Sequence, residues 1–262
     1  MKIKSTRALA LLVATGTLVI ASSPLRASET DDRIESSAKK SYVFKTYLKD
    51  DSVKTESKDG AVTLTGTVAE DFHKTLAQDT VEGLPGVKSV DNQISVKGES
   101  PMKNSDTWLV MKVKNTLLFH RNVSAGSTHV TADNGTVHLH GEASSMAQKE
   151  LTAEYAGDVE GVKAVNNEMT VAQAPVEPDR SLMEKIDDAS ITAQIKSSLL
   201  AHRSTSALKT KIQTIDGVVA VGGTAENAAE KSLVSKLVGD IHGVVSVTNN
   251  MTIKSDAESS PK

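Results

Sequence analysis

Three segments of the chain carry the same motif. They are Asp59-Gly60-Ala61-Val62-Thr63-Leu64-Thr65-Gly66, Asn134-Gly135-Thr136-Val137-His138-Leu139-His140-Gly141 and Asp216-Gly217-Val218-Val219-Ala220-Val221-Gly222-Gly223. A second block follows each one: Gly86-Val87-Lys88-Ser89-Val90-Asp91-Asn92, Gly161-Val162-Lys163-Ala164-Val165-Asn166-Asn167 and Gly243-Val244-Val245-Ser246-Val247-Thr248-Asn249. The first glycines of the two blocks lie 26 residues apart in all three cases (60 to 86, 135 to 161, 217 to 243). Self-similarity at a fixed spacing means copies of one supersecondary unit, and it constrains the fold more than composition does. The 262 residues alone suggest one or two domains of ordinary size. The repeats divide them into three small modules instead, at residues 30–97, 105–172 and 186–254.

The module's elements follow from its periods. Asp-Gly or Asn-Gly between alternating runs signals a two-residue hairpin, because these residues accept positive φ. The strand before the turn is Val53–Ser57, His129–Ala132 or Lys211–Thr214. The strand after it is Ala61–Val68, Thr136–Ala143 or Val218–Ala225. Leu76, Thr80 and Leu84 then repeat at helical spacing, as do Leu151, Tyr155 and Val159, and Leu233, Leu237 and Ile241. Gly86, Gly161 and Gly243 suit the helix exit, and a last strand covers Val90–Val96, Val165–Val171 or Val247–Ile253. A first helix precedes each hairpin, with Val43, Tyr47 and Leu48 set against Val113, Leu117 and Leu118, and Ile195, Leu199 and Leu200. On this alignment repeat 1 is about five residues short before its turn. The expected class is α+β: three tandem αββαβ modules, each with two helices on one face of a small three-stranded sheet. Residues 98–104 and 172–185 read as linkers, and 255–262 as a disordered tail.

The N-terminus reads as an address. Lys2, Lys4 and Arg7 precede an apolar run from Ala8 to Ala21, and small residues follow. That order is a secretory signal peptide, and the run of about 14 residues is shorter than the ~20 a membrane span requires. Cleavage is expected after Ala27 or, alternatively, after Ser23; an uncleaved anchor is a further alternative. Removing residues 1–27 takes away four basic residues and no acidic one, so a net charge of −3 becomes −7. A mature chain that acidic does not suit nucleic acid, which needs clustered positive charge. There is no cysteine, which excludes disulfides, thiolate metal sites, cysteine nucleophiles and an N-terminal lipid anchor. Export without cysteine suggests a bacterial envelope protein and is compatible with the expected periplasmic location.

The paired motifs resemble the BON domain, three times over and across nearly the whole mature chain. The resemblance implies an αββαβ fold, an envelope location and a nonenzymatic role in osmotic stress, often at phospholipid interfaces. In the motif itself, Gly60, Gly135 and Gly217 serve the turn, while Gly66, Gly141 and Gly223 allow a bend or close approach at the strand end.

No nucleophile, metal or phosphate-loop motif is present, so neither catalysis nor a cofactor is expected. His138 and His140 share a strand face, read as solvated rather than metal-binding. The His120-Arg121 and His202-Arg203 pairs read as cations at helix C-termini, with a phosphate contact as the alternative. Asp31-Asp32 and Asp187-Asp188 read as helix caps. The anomaly is the first helix of repeat 2, where Trp108 and Met111 fall opposite small residues: Ala38 and Ser41 in repeat 1, Ser190 and Ala193 in repeat 3. The fold does not need bulk there. Trp108 and Met111, flanked by Lys112, Lys114 and Arg121, form a candidate site for an anionic phospholipid surface. Burial against a neighbouring repeat is the competing reading, and an envelope protein is the alternative partner.

Overall fold

A computed structural model describes residues 24–98, 101–172, 186–206 and 209–254. Residues 1–23 of the expected signal peptide (1–27), most of the second linker and the tail lie outside these. Repeat 1 comprises α1 (Pro24–Lys40), α2 (Tyr42–Thr46), β1 (Ser52–Lys58), β2 (Ala61–Val68), α3 (Asp71–Glu82), β3 (Ser89–Asn92) and β4 (Ser95–Val96). Repeat 2 comprises α4 (Asp106–Phe119), β5 (Thr128–Asp133), β6 (Thr136–Ala143), α5 (Met146–Gly157), β7 (Ala164–Asn167) and β8 (Thr170–Val171). Repeat 3 comprises α6 (Asp188–Ala201), β9 (Thr210–Ile215), β10 (Val218–Ala225), α7 (Ala228–Gly239), β11 (Ser246–Asn249) and β12 (Thr252–Ile253). The class is α+β in three modules, as the periods indicate.

Each sheet is mixed. The hairpin strands pair antiparallel, and the last strand runs parallel to the middle one. That last strand is split in two, and the motif asparagine causes the break. Asn92, Asn167 and Asn249 each accept from the N–H two residues on, at 3.2, 3.2 and 3.0 Å. Each also donates to a carbonyl of the second helix, at 2.9, 2.7 and 2.8 Å. The break turns Ile94, Met169 and Met251 into the core, each 2% exposed.

The turns are clamped from the first helix. Asp31 accepts from the N–H groups of Asp59 and Gly60, Asp106 from Asn134 and Gly135, and Asp188 from Asp216 and Gly217. The clamping aspartate precedes its glycine by 29 residues in every repeat. Repeat 1 is therefore not short, and the alignment of its first helix has to move. Counted from the clamps, Trp108 falls opposite Arg33 and Ser190, and Met111 opposite Ser36 and Ala193. Ile34 and Ala38 take the core places of Leu109 and Val113. The misplacement has a local cause: the helix of repeat 1 breaks at Ser41, so apolar residues recur in α2 out of step with the other copies. Only Asp187, of the paired acids, caps a helix, accepting from Ser190 N at 2.9 Å. Asp31 and Asp188 clamp turns instead.

All six expected turn and exit glycines have φ between +76° and +95°. The strand-end glycines are more tightly bound. A Cβ on Gly66, Gly141 or Gly223 would stand 1.8, 2.0 or 1.9 Å from a carbonyl oxygen across the hairpin, so only glycine fits.

The modules pack on one another. Repeats 2 and 3 meet about a local two-fold: His120 bridges to Ile241, and Val159 to His202. Arg121 N donates to Asp240 O and Arg203 N to Asp158 O, both at 2.9 Å. Repeat 1 docks on α6. Val43 N donates to Ser190 Oγ at 3.1 Å and Tyr42 N to Asp187 Oδ2 at 2.8 Å, and Lys196 pairs with Asp79 at 3.0 Å.

Candidate functional site

Ser105 caps α4 by accepting from Trp108 N at 3.2 Å, which satisfies an N–H of the first turn. Trp108, Met111 and Lys112 are three and four residues apart and share one helix face. Trp108 is half-buried, and Lys112 Nζ lies 5.4 Å from its ring centroid, a cation–π distance. This face opens on a cavity of about 550 Å³, within the usual size of small-ligand sites.

All three modules build the walls. Repeat 1 contributes Phe72 from α3 with Val96 and Lys97, repeat 2 adds Trp108, Met111 and Lys112, and repeat 3 adds Ser197 and Leu200 from α6. Leu200 is 50% exposed, unusual for a leucine so close to a domain junction. Ser197 Oγ is buried without a hydrogen-bond partner among the described residues. At the rim Lys103 pairs with Glu160 at 3.1 Å, and Glu70 accepts from Asn115 at 3.2 Å. Lys97 and Lys112 have no carboxylate partner among the described residues. The site thus joins an apolar floor to two cations that have no carboxylate partner among the described residues.

The candidate residues separate here. Trp108, Met111 and Lys112 stand together on the cavity. Lys114 is exposed and lies outside its wall. Arg121 lies thirteen residues along the chain from Trp108, roughly 20 Å at helical rise. Its guanidinium donates to the carbonyls of Gly239 and Val244, so it fastens repeat 2 to repeat 3. Lys97, Lys103, Phe72 and Leu200 were not legible as site residues, because no local spacing relates them.

Nor are His120 and His202 exposed helix-end cations: they are 0% and 2% exposed at the junction of repeats 2 and 3. Burial holds His120 below the usual histidine range, with Asp240 opposing and the charge of His202 adding to the effect. On the open sheet face of repeat 2, His138 and His140 turn to Glu168 at 3.8 and 3.4 Å. Among the described residues no three His, Asp or Glu side chains are disposed to hold a metal ion. No helix among them is long and apolar enough to cross a membrane.

Three αββαβ modules with glycine-bound hairpins and asparagine-broken third strands define the class. The chain belongs to the BON domain family, whose model matches residues 30–98, 105–173 and 187–255. It is 31% identical over 196 residues to Osmotically-inducible protein Y of Escherichia coli (strain K12), covering 74% of this chain and 94% of that one. It is 30% identical over 125 residues to Outer membrane lipoprotein DolP of Haemophilus influenzae, covering 45% of this chain and 64% of that one. A solved structure of CdsD, a structural protein of the type III secretion system of Chlamydia trachomatis, aligns over 87% of this chain and 97% of its own. At 15% identity and a TM-score of 0.24, it bears on neither fold nor function.

Proposed function

We propose that this chain is a nonenzymatic periplasmic protein of the envelope-stress response that binds anionic phospholipid at the three-module cavity. The observation that carries it is Trp108 with Met111 and Lys112 on an open cavity rim, where the matching face of α6 is closed by repeat 1. An indole with a neighbouring ammonium suits a headgroup and the first methylenes of its chain. Lys97 and Lys112 supply charge for the phosphate, which the overall acidity of the chain makes a local requirement. The relatives named for osmotic induction and for an outer-membrane lipoprotein support the setting, as does the basic-apolar-small order of residues 1–27. Flotation with phosphatidylglycerol vesicles tests the reading. Wild type is expected to float and Trp108→Ala to stay in the dense fraction. Equal flotation of both removes Trp108 from the site, and no flotation of either removes lipid binding.

One observation favours a second reading, a protein-interaction or chaperone-like module. The hairpin end of repeat 3 exposes Ile215 (62%), Val218 (45%) and Val245 (75%), where repeat 2 has Asp133, Thr136 and Lys163. Crosslinking in the periplasm separates the two readings, since only the second expects protein adducts that persist once lipid is removed.

A further inference from the structure

Two buried imidazoles face each other at the local two-fold between repeats 2 and 3. His120 Nε2 lies 3.5 Å from His202 Nε2. On the far side of each ring stands a carboxylate: Asp240 Oδ2 is 3.2 Å from His120 Nδ1, and Asp158 Oδ2 is 2.9 Å from His202 Nδ1. The carboxylates are fixed in turn. Asp240 accepts from Tyr155 Oη at 2.7 Å and from Asn122, and Asp158 accepts from Ser204 and lies 3.6 Å from Arg203 Nε. Tyr155 also stacks on His120 at 4.0 Å between centroids.

The carboxylates bias where the protons go. Asp158 Oδ2, 2.9 Å from His202 Nδ1, places hydrogen on that nitrogen. Asp240 stands 3.2 Å from His120 Nδ1 without forming a hydrogen bond to it, so its charge alone favours the same tautomer there. Both Nε2 atoms are then bare in the neutral rings. His120 Nε2 accepts from Ser198 Oγ at 3.1 Å, but among the described residues His202 Nε2 has only the other imidazole within reach. One extra proton suits this pair, because one ring donates and the other accepts. A second does not, because two N–H groups would then meet across 3.5 Å in a site closed to water.

We propose that His120 and His202 form a proton-sharing latch that holds repeats 2 and 3 together near neutral pH and opens their junction when acid forces in a second proton. The other charges facing the pair are Asp158, Asp240, Arg121, Arg203 and His242, with the phenol of Tyr155. The two aspartates and two arginines balance, so the second proton meets no spare negative charge. Burial depresses His120, and depresses His242 on the same junction. A depressed histidine takes up its proton more readily once exposed, so closure is most stable above the unfolded value of about 6.5 and weakens as pH falls below it. The α4 and α6 helices that carry the pair also wall the cavity, but the latch stands whether or not that cavity binds lipid, because its test reads only the junction.

Amide hydrogen exchange in the full-length protein is the test. The N–H groups of Arg121, His242 and Arg203 donate across the junction to Asp240 O, Phe119 O and Asp158 O. Those of Lys88, Lys163 and Val245 donate within single modules to Gly60 O, Gly135 O and Gly217 O. After correction for intrinsic exchange, wild type is expected to lose about tenfold protection per pH unit below ~6.5 at the three junction amides only, one proton being linked to opening. His120→Gln/His202→Gln, which removes both rings, is expected to lose most of that pH dependence whatever its absolute level of protection. Constant junction protection in wild type from pH 7.5 to 5.5, or the same loss in the double variant, overturns the latch. If that variant does not fold, imidazole ¹⁵N titration of wild type decides. Two separated steps support the shared proton, and two independent rings titrating together near 6.5 refute it.

Discussion

The helices α4 and α6 are one element used twice, with opposite outcomes on the same face. On α6 the face is Ser190, Ala193 and Gln194, all fully buried. Small polar side chains let repeat 1 come close, and they bond it: Ser190 accepts from Val43 N, and Gln194 Oε1 accepts from Tyr47 Oη at 3.3 Å. On α4 the same three positions hold Trp108, Met111 and Lys112, half-buried around a cavity. Their bulk prevents the close approach that α6 allows. One helix has become a docking face and the other a lining, through side-chain volume rather than a change of backbone. Repeat 1 meets α4 in its C-terminal half, where Asn115 donates to Glu70 at 3.2 Å and Phe119 meets Tyr47 at 5.4 Å and Phe72 at 5.5 Å.

The largest expected effect comes from breaking that end contact. Phe119 is 1% exposed and among the bulkiest fully buried side chains, and α6 has Ala201 in its place. Phe119→Ala is expected to cost about 3 to 5 kcal/mol in a denaturant titration. The next effect tests the comparison itself. Ser190→Trp, which gives α6 the residue of α4, overfills a closed face and strips Val43 N of its acceptor. A loss of about 1 to 3 kcal/mol is expected, with faster proteolysis between repeats 1 and 3. An unchanged cleavage pattern would mean that side-chain volume does not decide which face is covered.

The turn clamp is common to α4 and α6, so it sharpens what is not different between them. Asp106→Ala leaves two turn N–H groups without their acceptor, and about 1 to 2 kcal/mol is expected, measured by thermal unfolding. The equivalent clamp of repeat 1 adds a pH dependence. Hydrogen bonds from Ser57 and from the N–H of Gly60 hold the Asp31 carboxyl below its usual range. A depressed carboxylate stabilises above its unfolded value, about 3.9. Its contribution is therefore lost as pH falls through the lower folded value, and acid unfolding of Asp31→Asn should start from a lower plateau and vary less below pH 4. The smallest stability change belongs to Trp108→Ala, about 1 kcal/mol, although it is the change expected to abolish vesicle flotation. A loss much larger than that would make Trp108 a structural side chain.

Much of the fold was legible because its signals are local. The hairpin turns fell out of Asp-Gly and Asn-Gly, and β2, β6 and β10 end where the alternation ends. One signal of equal regularity lies outside the motif: the aspartate 29 residues before each turn glycine, which sets the register of the first helix in repeat 1. The site was legible only in part. Trp108, Met111 and Lys112 stand out as bulk that the other copies lack, but Arg121 looked like their neighbour because it is near in sequence. In space it points to another module.

By itself, then, the sequence determined the repeating unit, its turns and the helix face that departs from the other copies. These depend on φ preferences and on periods of two and 3.6 residues, which act over a few residues. Only the tertiary structure decided which faces are covered, which walls form the cavity and how His120 comes to meet His202. Those contacts join residues from tens to more than a hundred positions apart, and they depend on how three nearly identical surfaces divide the available burial among themselves.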